Sequence, residues 1–199
     1  VSAGTATVLG NGNRIMNNRI GAPGDTVRQA GIVVQYGVGT LVSGNTIRTI
    51  RQPAAGSIIA LTAQTKHLRT RIWNNVVYDL GKSGTGAAVV YGINSSGATV
   101  DTTGTTGVKI YNNMVYGLDY ASTNTGGTLV GISAGIGMND TIAYNSVSLT
   151  GADPTGIINA GLAITSTSAT GVRGLVWRNN ISNVTNTTTT FIDRCSGRT

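Results

Sequence analysis

Few residues of this chain carry side chains that could do acid–base or nucleophilic chemistry. The chain has seven Asp and no Glu, a single His (His67) and a single Cys (Cys195). Two carboxylates about 5–10 Å apart can hydrolyse a glycosidic bond. Cys195 lies near the end of the chain and His67 lies in the basic stretch 66–69, with no evident link between them. The first chemistry to test is therefore that of paired carboxylates, and it depends on which Asp the fold brings together.

A short repeated motif predicts the fold that would position these residues. In its clearest copy, Ile110 is position zero, Asn113 follows at +3 and Val115 at +5. The same frame fits five further segments: Ile15/Asn18/Ile20, Val42/Asn45/Ile47, Ile72/Asn75/Val77, Ile142/Asn145/Val147 and Val176/Asn179/Ile181. Successive Asn are 27–38 residues apart. Self-similarity at periods of 20–50 residues is typical of stacked repeat proteins, and the variable spacing indicates loops between fixed elements.

A second element between the motifs completes each repeat. A small residue followed by aliphatic residues comes 13–18 residues after each of the first five motif Asn, at Gly31, Ala60, Gly92, Gly131 and Gly161. Each repeat thus holds three short β-like pieces separated by loops rich in Gly, Ser and Thr. The sequence therefore predicts an all-β parallel β-helix (β-solenoid), with three short strands per coil and about six to seven coils. Residues 1–199 form one domain, with positions zero and +5 facing the core.

The motif Asn has a physical role at a turn between two strands of this predicted coil. Asn tolerates left-handed backbone conformations, and its amide both donates and accepts hydrogen bonds. Stacked Asn side chains can therefore bond to one another along the coil axis. We predict an asparagine ladder whose members are Asn18, Asn45, Asn75, Asn113, Asn145 and Asn179.

The repeat resembles those of a known superfamily. Residues 110–118 read Ile-Tyr-Asn-Asn-Met-Val-Tyr-Gly-Leu, and residues 129–133 read Leu-Val-Gly-Ile-Ser. These units resemble the right-handed parallel β-helix repeats of the pectin-lyase-like superfamily, and most closely those of bacterial secreted and cell-surface proteins. The resemblance spans about residues 12–193 and implies a right-handed coil. It leaves the function open, because that superfamily includes polysaccharide lyases and hydrolases, phage tailspikes and adhesins.

The Asp residues do not form a repeated column in this frame. Asp79 at +7 and Asp119 at +9 come closest, because they lie on adjacent coils two positions apart. No His or Arg repeats beside them. We therefore expect no catalytic, cofactor-binding or metal-binding residues, and a chain that is not an enzyme. A polysaccharide lyase or glycoside hydrolase is the alternative that the resemblance implies.

Aromatic and basic residues form more regular outward columns. Position +1 holds Trp73, Tyr111 and Trp177, position +6 holds Tyr78 and Tyr116, and position −1 holds Arg71 and Lys109. Stacked aromatic side chains can cover an outer sheet without any ligand. The alternative interpretation is a surface for a glycan or a protein partner, with Trp73, Tyr111, Tyr78, Tyr116, Arg71 and Lys109 as its contact residues.

The net charge of +7 is confined to one part of the chain. Residues 1–71 hold eight Arg or Lys and one Asp, whereas residues 72–199 hold six of each sign. This asymmetry favours solubility or, as a sharper alternative, attraction to an acidic polysaccharide or an acidic module. No apolar run approaches the ~18 residues of a membrane span. No motif for reading nucleic-acid sequence is present.

These observations predict an extracellular or cell-surface protein with a structural or adhesive function. We expect a rigid shaft or filament building block on a bacterial surface, either a segment of a longer solenoid or a filament subunit. Its expected partners are further copies of itself stacked end to end, or other modules of the same parent chain. Non-catalytic binding of acidic glycans is a further alternative.

Overall fold

A computed structural model of the chain describes residues 10–53, 56–83, 88–96, 107–121, 127–135, 139–149, 158–164 and 176–184. Within these ranges every regular element is a β-strand. The same ranges contain no helix long and apolar enough to cross a membrane. Strands β1 to β10 are Gly10–Asn11, Arg14–Met16, Arg19–Ile20, Ala30–Val34, Gly37–Val38, Leu41–Ser43, Thr46–Gln52, Ile58–Ala63, Arg71–Trp73 and Val76–Lys82. Strands β11 to β19 are Val89–Ser95, Lys109–Tyr111, Met114–Tyr120, Thr128–Ala134, Thr141–Ala143, Ser146–Leu149, Ile158–Ile164, Val176–Arg178 and Ile181–Val184.

The strands form three large parallel sheets. The first sheet has the order β2-β6-β9-β12-β15-β18, the second β3-β7-β10-β13-β16-β19 and the third β4-β8-β11-β14-β17. A small fourth sheet pairs β1 with β5. Successive strands enter the three sheets in turn, as β9, β10 and β11 do, and each strand pairs with its counterpart in the next repeat. This arrangement confirms the all-β prediction and is consistent with a β-solenoid.

The core consists of aliphatic columns that run from coil to coil. Position zero places Val42, Ile72, Ile110 and Ile142 in one buried column, and +5 places Ile47, Val77, Val115 and Val147 in another. The third sheet contributes Ile32, Leu61, Ile93, Ile132 and Leu162. Each fully buried aliphatic side chain is worth about 1.5–3 kcal/mol. A single coil could not bury these side chains alone, so the packing makes the coils interdependent.

The small residues of the third sheet lie where the sheet approaches the second sheet most closely. A Cβ added at Gly92 would come within 2.4 Å of the Val115 side chain and 2.6 Å of the Gly131 carbonyl oxygen. A Cβ added at Gly131 would likewise collide with the Val147 side chain and the Gly161 carbonyl oxygen. The recurrence of small residues predicted from the sequence therefore has a steric cause.

The predicted single domain covers more of the chain than the structure describes. Residues 1–9 and 185–199 lie outside the described residues, and so does Cys195. A seventh coil would require these segments, and the number of coils beyond six stays a prediction.

Candidate functional site

Six asparagines form one continuous hydrogen-bonded column at the turn between the first and second sheets. We call it the inner asparagine column, and its members are Asn18, Asn45, Asn75, Asn113, Asn145 and Asn180. Each side-chain Nδ2 donates to Oδ1 of the Asn in the next coil at 2.9–3.0 Å. The same Oδ1 accepts the backbone N–H of the donor Asn at 3.0–3.1 Å.

The remaining amide proton of each column member is also used. From Asn45 onward, Nδ2 donates to the carbonyl at position zero of the preceding coil at 2.9–3.1 Å. Asn45, Asn75, Asn113 and Asn145 are at most 2% exposed. A buried polar group without a partner costs about 1–3 kcal/mol. Removing one member would therefore leave polar atoms unpaired in two coils.

The left-handed backbone conformation belongs to the residue before each column member. We call this set the outer turn column, and it consists of Asn17, Gly44, Asn74, Asn112, Tyr144 and Asn179, with φ between 53° and 65°. The prediction that the ladder Asn itself takes this conformation is wrong. The turn separates two tasks, because the outer residue provides the backbone bend while the inner residue points its amide into the interior.

The last member of the column is Asn180, so the prediction of Asn179 is wrong. Backbone pairing aligns Ile142 with Trp177 and Ala143 with Arg178. Position zero of this coil is therefore Trp177, one residue later than the aliphatic pattern indicated. Trp177 packs against the core, which removes it from the outward column predicted at +1. The doublets Asn74-Asn75 and Asn112-Asn113 indicate the correct residue, because the second Asn of each doublet is the column member.

The aromatic pairs predicted on neighbouring coils stack on two outer sheet faces. On the first sheet, the ring centroids of Trp73 and Tyr111 lie 5.9 Å apart and the angle between the ring planes is 6°. On the second sheet, the ring centroids of Tyr78 and Tyr116 lie 5.0 Å apart and the angle between the ring planes is 2°. Arg48 extends the second stack, since its guanidinium carbon lies 5.9 Å from the Tyr78 ring centroid and its Nη1 donates to Tyr78 Oη at 3.0 Å.

Two exposed cations border the first of these stacks. Arg71 and Lys109 pair directly across β9 and β12, two positions before Trp73 and Tyr111 respectively. Both basic side chains are exposed, whereas the two rings are partly buried. The face therefore presents flat rings beside positive charge, which is the arrangement that cation–π and sugar-stacking contacts require.

The two Asp that come closest in the sequence lie in different environments. Asp79 forms an ion pair with Arg51 and accepts a hydrogen bond from Thr49 Oγ1 at 3.1 Å. Asp119 aligns with Gly81, and its Oδ1 is buried without a hydrogen-bond partner among the described residues. Asp79 is thus occupied by a contact within the second sheet. No sequence signal indicated Arg51, because it aligns with Gly81 in the next coil and its column repeats no basic residue there.

His67 is fully buried at the corner that leads from the third sheet to the first. Its Nε2 contacts the Ser96 carbonyl oxygen at 3.1 Å, and its Nδ1 has no partner among the described residues. Burial lowers the pKa of His67 to about 4, and the Ser96 carbonyl opposes this shift only in part. His67 is therefore neutral at pH 7. Two buried hydroxyls of the same region, Thr40 Oγ1 and Thr70 Oγ1, are likewise unpaired.

Two of the surface depressions in the described part of the chain are lined by predicted contact residues. One of about 410 Å³ is lined by Asn11, Val38, Gly39, Leu41, Arg69 and Arg71. The other, of about 500 Å³ on the second sheet, is lined by Met114, Val115, Tyr116, Ser146, Val147, Ser148, Ile181 and Asn183. No group of three or more His, Cys, Asp or Glu in the described ranges could hold a metal ion. Arg69 was not among the predicted contact residues, because its column contains no second basic residue.

Comparison with known proteins produced no match for this chain, either among family models, among curated proteins or among solved structures.

Proposed function

We propose that this chain is an extracellular structural or adhesive β-solenoid that serves as a rigid shaft or filament building block on a bacterial surface. The observation that carries the proposal is the inner asparagine column, which continues from Asn18 to Asn180 through six coils. At about 4.8 Å per coil, six coils give roughly 29 Å of axial rise. A right-handed coil, as in the superfamily that the repeat resembles, completes the proposal.

The mechanism of such a shaft is mechanical. Backbone ladders of three sheets run along the axis, and the buried amides of Asn75 and Asn113 add directional bonds in the same direction. Bending or shearing one coil against the next would break several of these bonds together. Because the interior amides have no water to replace a lost partner, the resistance to local deformation is high.

Single-molecule pulling on the chain, held at its two ends, tests this proposal. Coils of 27–38 residues should detach one at a time. Each event should lengthen the chain by roughly 100 Å, at about 3.3–3.6 Å per residue. The Asn113→Ala variant should detach its coils at lower force. Smooth extension at low force without discrete events would contradict the shaft proposal.

The enzyme alternative has its own test. Incubation with acidic polysaccharides would release unsaturated uronate from a lyase, or new reducing ends from a hydrolase. We expect neither product, since the Asp79 carboxylate forms an ion pair with Arg51 and accepts a hydrogen bond from Thr49. Product formation that is lost in Asp119→Asn would favour the enzyme.

A second candidate function is non-catalytic binding of an acidic glycan on the first sheet. The observation that favours it is the parallel stack of Trp73 and Tyr111 beside the exposed Arg71 and Lys109. Affinity electrophoresis through gels containing an acidic polysaccharide would show retardation, which Tyr111→Ala should abolish. Tyr116→Ala, on the second sheet, is the matched control. Equal mobility of all three proteins with and without polysaccharide would exclude this function.

A further inference from the structure

The depression of about 410 Å³ lies beside the first sheet and spans three coils. Asn11 pairs with Val38, Val38 bridges to Leu68, and Leu41 pairs with Arg71. Backbone pairing therefore fixes the relative positions of its walls. Its lining residues are two arginines of one coil, Arg69 and Arg71, the apolar Val38 and Leu41, and Asn11.

The two guanidinium groups are available to a ligand. Arg69 and Arg71 are exposed, and neither has a hydrogen-bond or ion-pair partner among the described residues. Arg14 and Lys109 belong to the same column of the first sheet as Arg71. Clustered like charges repel one another, so a bound anion would relieve an unfavourable potential.

The backbone at Arg69 has a conformation that recurs at turns of the described chain. Arg69 has φ = 52°, a left-handed conformation that costs a non-glycine residue without a short polar side chain about 1–2 kcal/mol. Here the conformation occurs two residues before Arg71, and both arginines line the same depression.

We propose that this depression binds the phosphate group of a phosphorylated sugar or polyol. A guanidinium fork matches phosphate oxygens bidentately, and Arg is preferred for this geometry. A carboxylate occupies a single fork with its two oxygens, whereas a tetrahedral phosphate dianion offers oxygens to both Arg69 and Arg71. The Asn11 amide suits a hydroxyl, and the apolar surface of Val38 and Leu41 suits the face of a carbon skeleton.

Tryptophan fluorescence offers a direct test. Trp73 follows Arg71 by two residues and projects from the same face of β9. The chain has two Trp, so Trp177→Phe leaves Trp73 as the sole reporter. Titration of this variant with glucose 1-phosphate should give a saturable change. Glucose at equal concentration should give none, and galacturonate should bind at least tenfold more weakly.

Substitutions at the two arginines assign the site. Arg71→Gln and Arg69→Asn should each weaken binding at least tenfold, and Asn is chosen because it tolerates the left-handed backbone. Arg71→Lys keeps the charge without the fork and should lose most of the affinity. Arg28→Gln, an exposed arginine outside the depression, should bind like the parent. Unchanged binding in the Arg69→Asn/Arg71→Gln double variant, the absence of saturation, or equal affinity for galacturonate would overturn the proposal.

Discussion

The inner asparagine column and the outer turn column are adjacent in sequence and opposite in what they require. The inner column contains Asn in all six coils, whereas the outer column contains Asn, Gly and Tyr. Every inner side chain joins two coils through specific bonds. The outer residues share a backbone φ of 53–65°, and their side chains need only be compatible with that conformation. Identical residues at Asn112 and Asn113 therefore serve different ends, one as a backbone bend and the other as a bonded amide.

The largest effect is expected from Asn113→Ala. The change removes the acceptor of the Asn75 N–H and Nδ2 groups, and the donor to the Ile72 carbonyl. With three buried groups left unpaired, unfolding free energy should fall by about 3–5 kcal/mol. Denaturant unfolding at pH 7 measures this loss. A loss below about 1 kcal/mol would mean that the buried amides contribute little.

The corner at His67 is a buried polar region without the complete pairing of the inner column. Its pKa falls from 6.5 to about 4 on folding, so the unfolded chain binds a proton more readily between these values. Stability is therefore full above pH 6.5 and declines as the pH falls toward 4, by about 3 kcal/mol. Unfolding between pH 7 and 4 should show this slope, and His67→Gln should flatten it. An equal slope in the variant would assign the effect to other groups.

The last coil offers a test of register with a smaller effect. Asn180 accepts from Asn145 and donates to the Ile142 carbonyl, but is only partly buried. Asn180→Ala should cost about 2 kcal/mol, and Asn179→Gly should change little. A larger stability loss from Asn179→Gly than from Asn180→Ala would support the register indicated by the aliphatic pattern, with Asn179 in the column. Thermal unfolding of both variants distinguishes the two registers.

The smallest effects are expected in the outer turn column. Asn112→Ala keeps a β-carbon at φ = 54° but removes the short polar side chain, and should cost about 1 kcal/mol, because Ala lacks the tolerance of Asn for this region. Asn112→Gly, the matched control, should be within a few tenths of a kcal/mol of the parent. The difference between the two variants in denaturant midpoint measures the conformational cost alone. Equal stability of the two variants would contradict the assignment of the backbone bend to the outer turn column.

The repeat frame predicted the strands, the inward columns and five members of the asparagine column, because a stacked fold repeats its spacing. Asn179 failed as the sixth because Val176 and Ile181 imitate the aliphatic pattern, while Trp177 occupies the inward position. The repeat frame did not predict the Asp79–Arg51 ion pair or the unpaired Nδ1 of His67. They depend on side chains that reach between coils at positions where the repeat varies.

Hydrogen exchange of side-chain amides, resolved by NMR, tests the central claim on the unmodified chain. The Nδ2 protons of Asn45, Asn75, Asn113 and Asn145 are bonded to neighbouring coils. They should exchange orders of magnitude more slowly than those of Asn74 and Asn112. Exchange of both groups at the rate of a free amide would contradict the asparagine column and the shaft proposed from it.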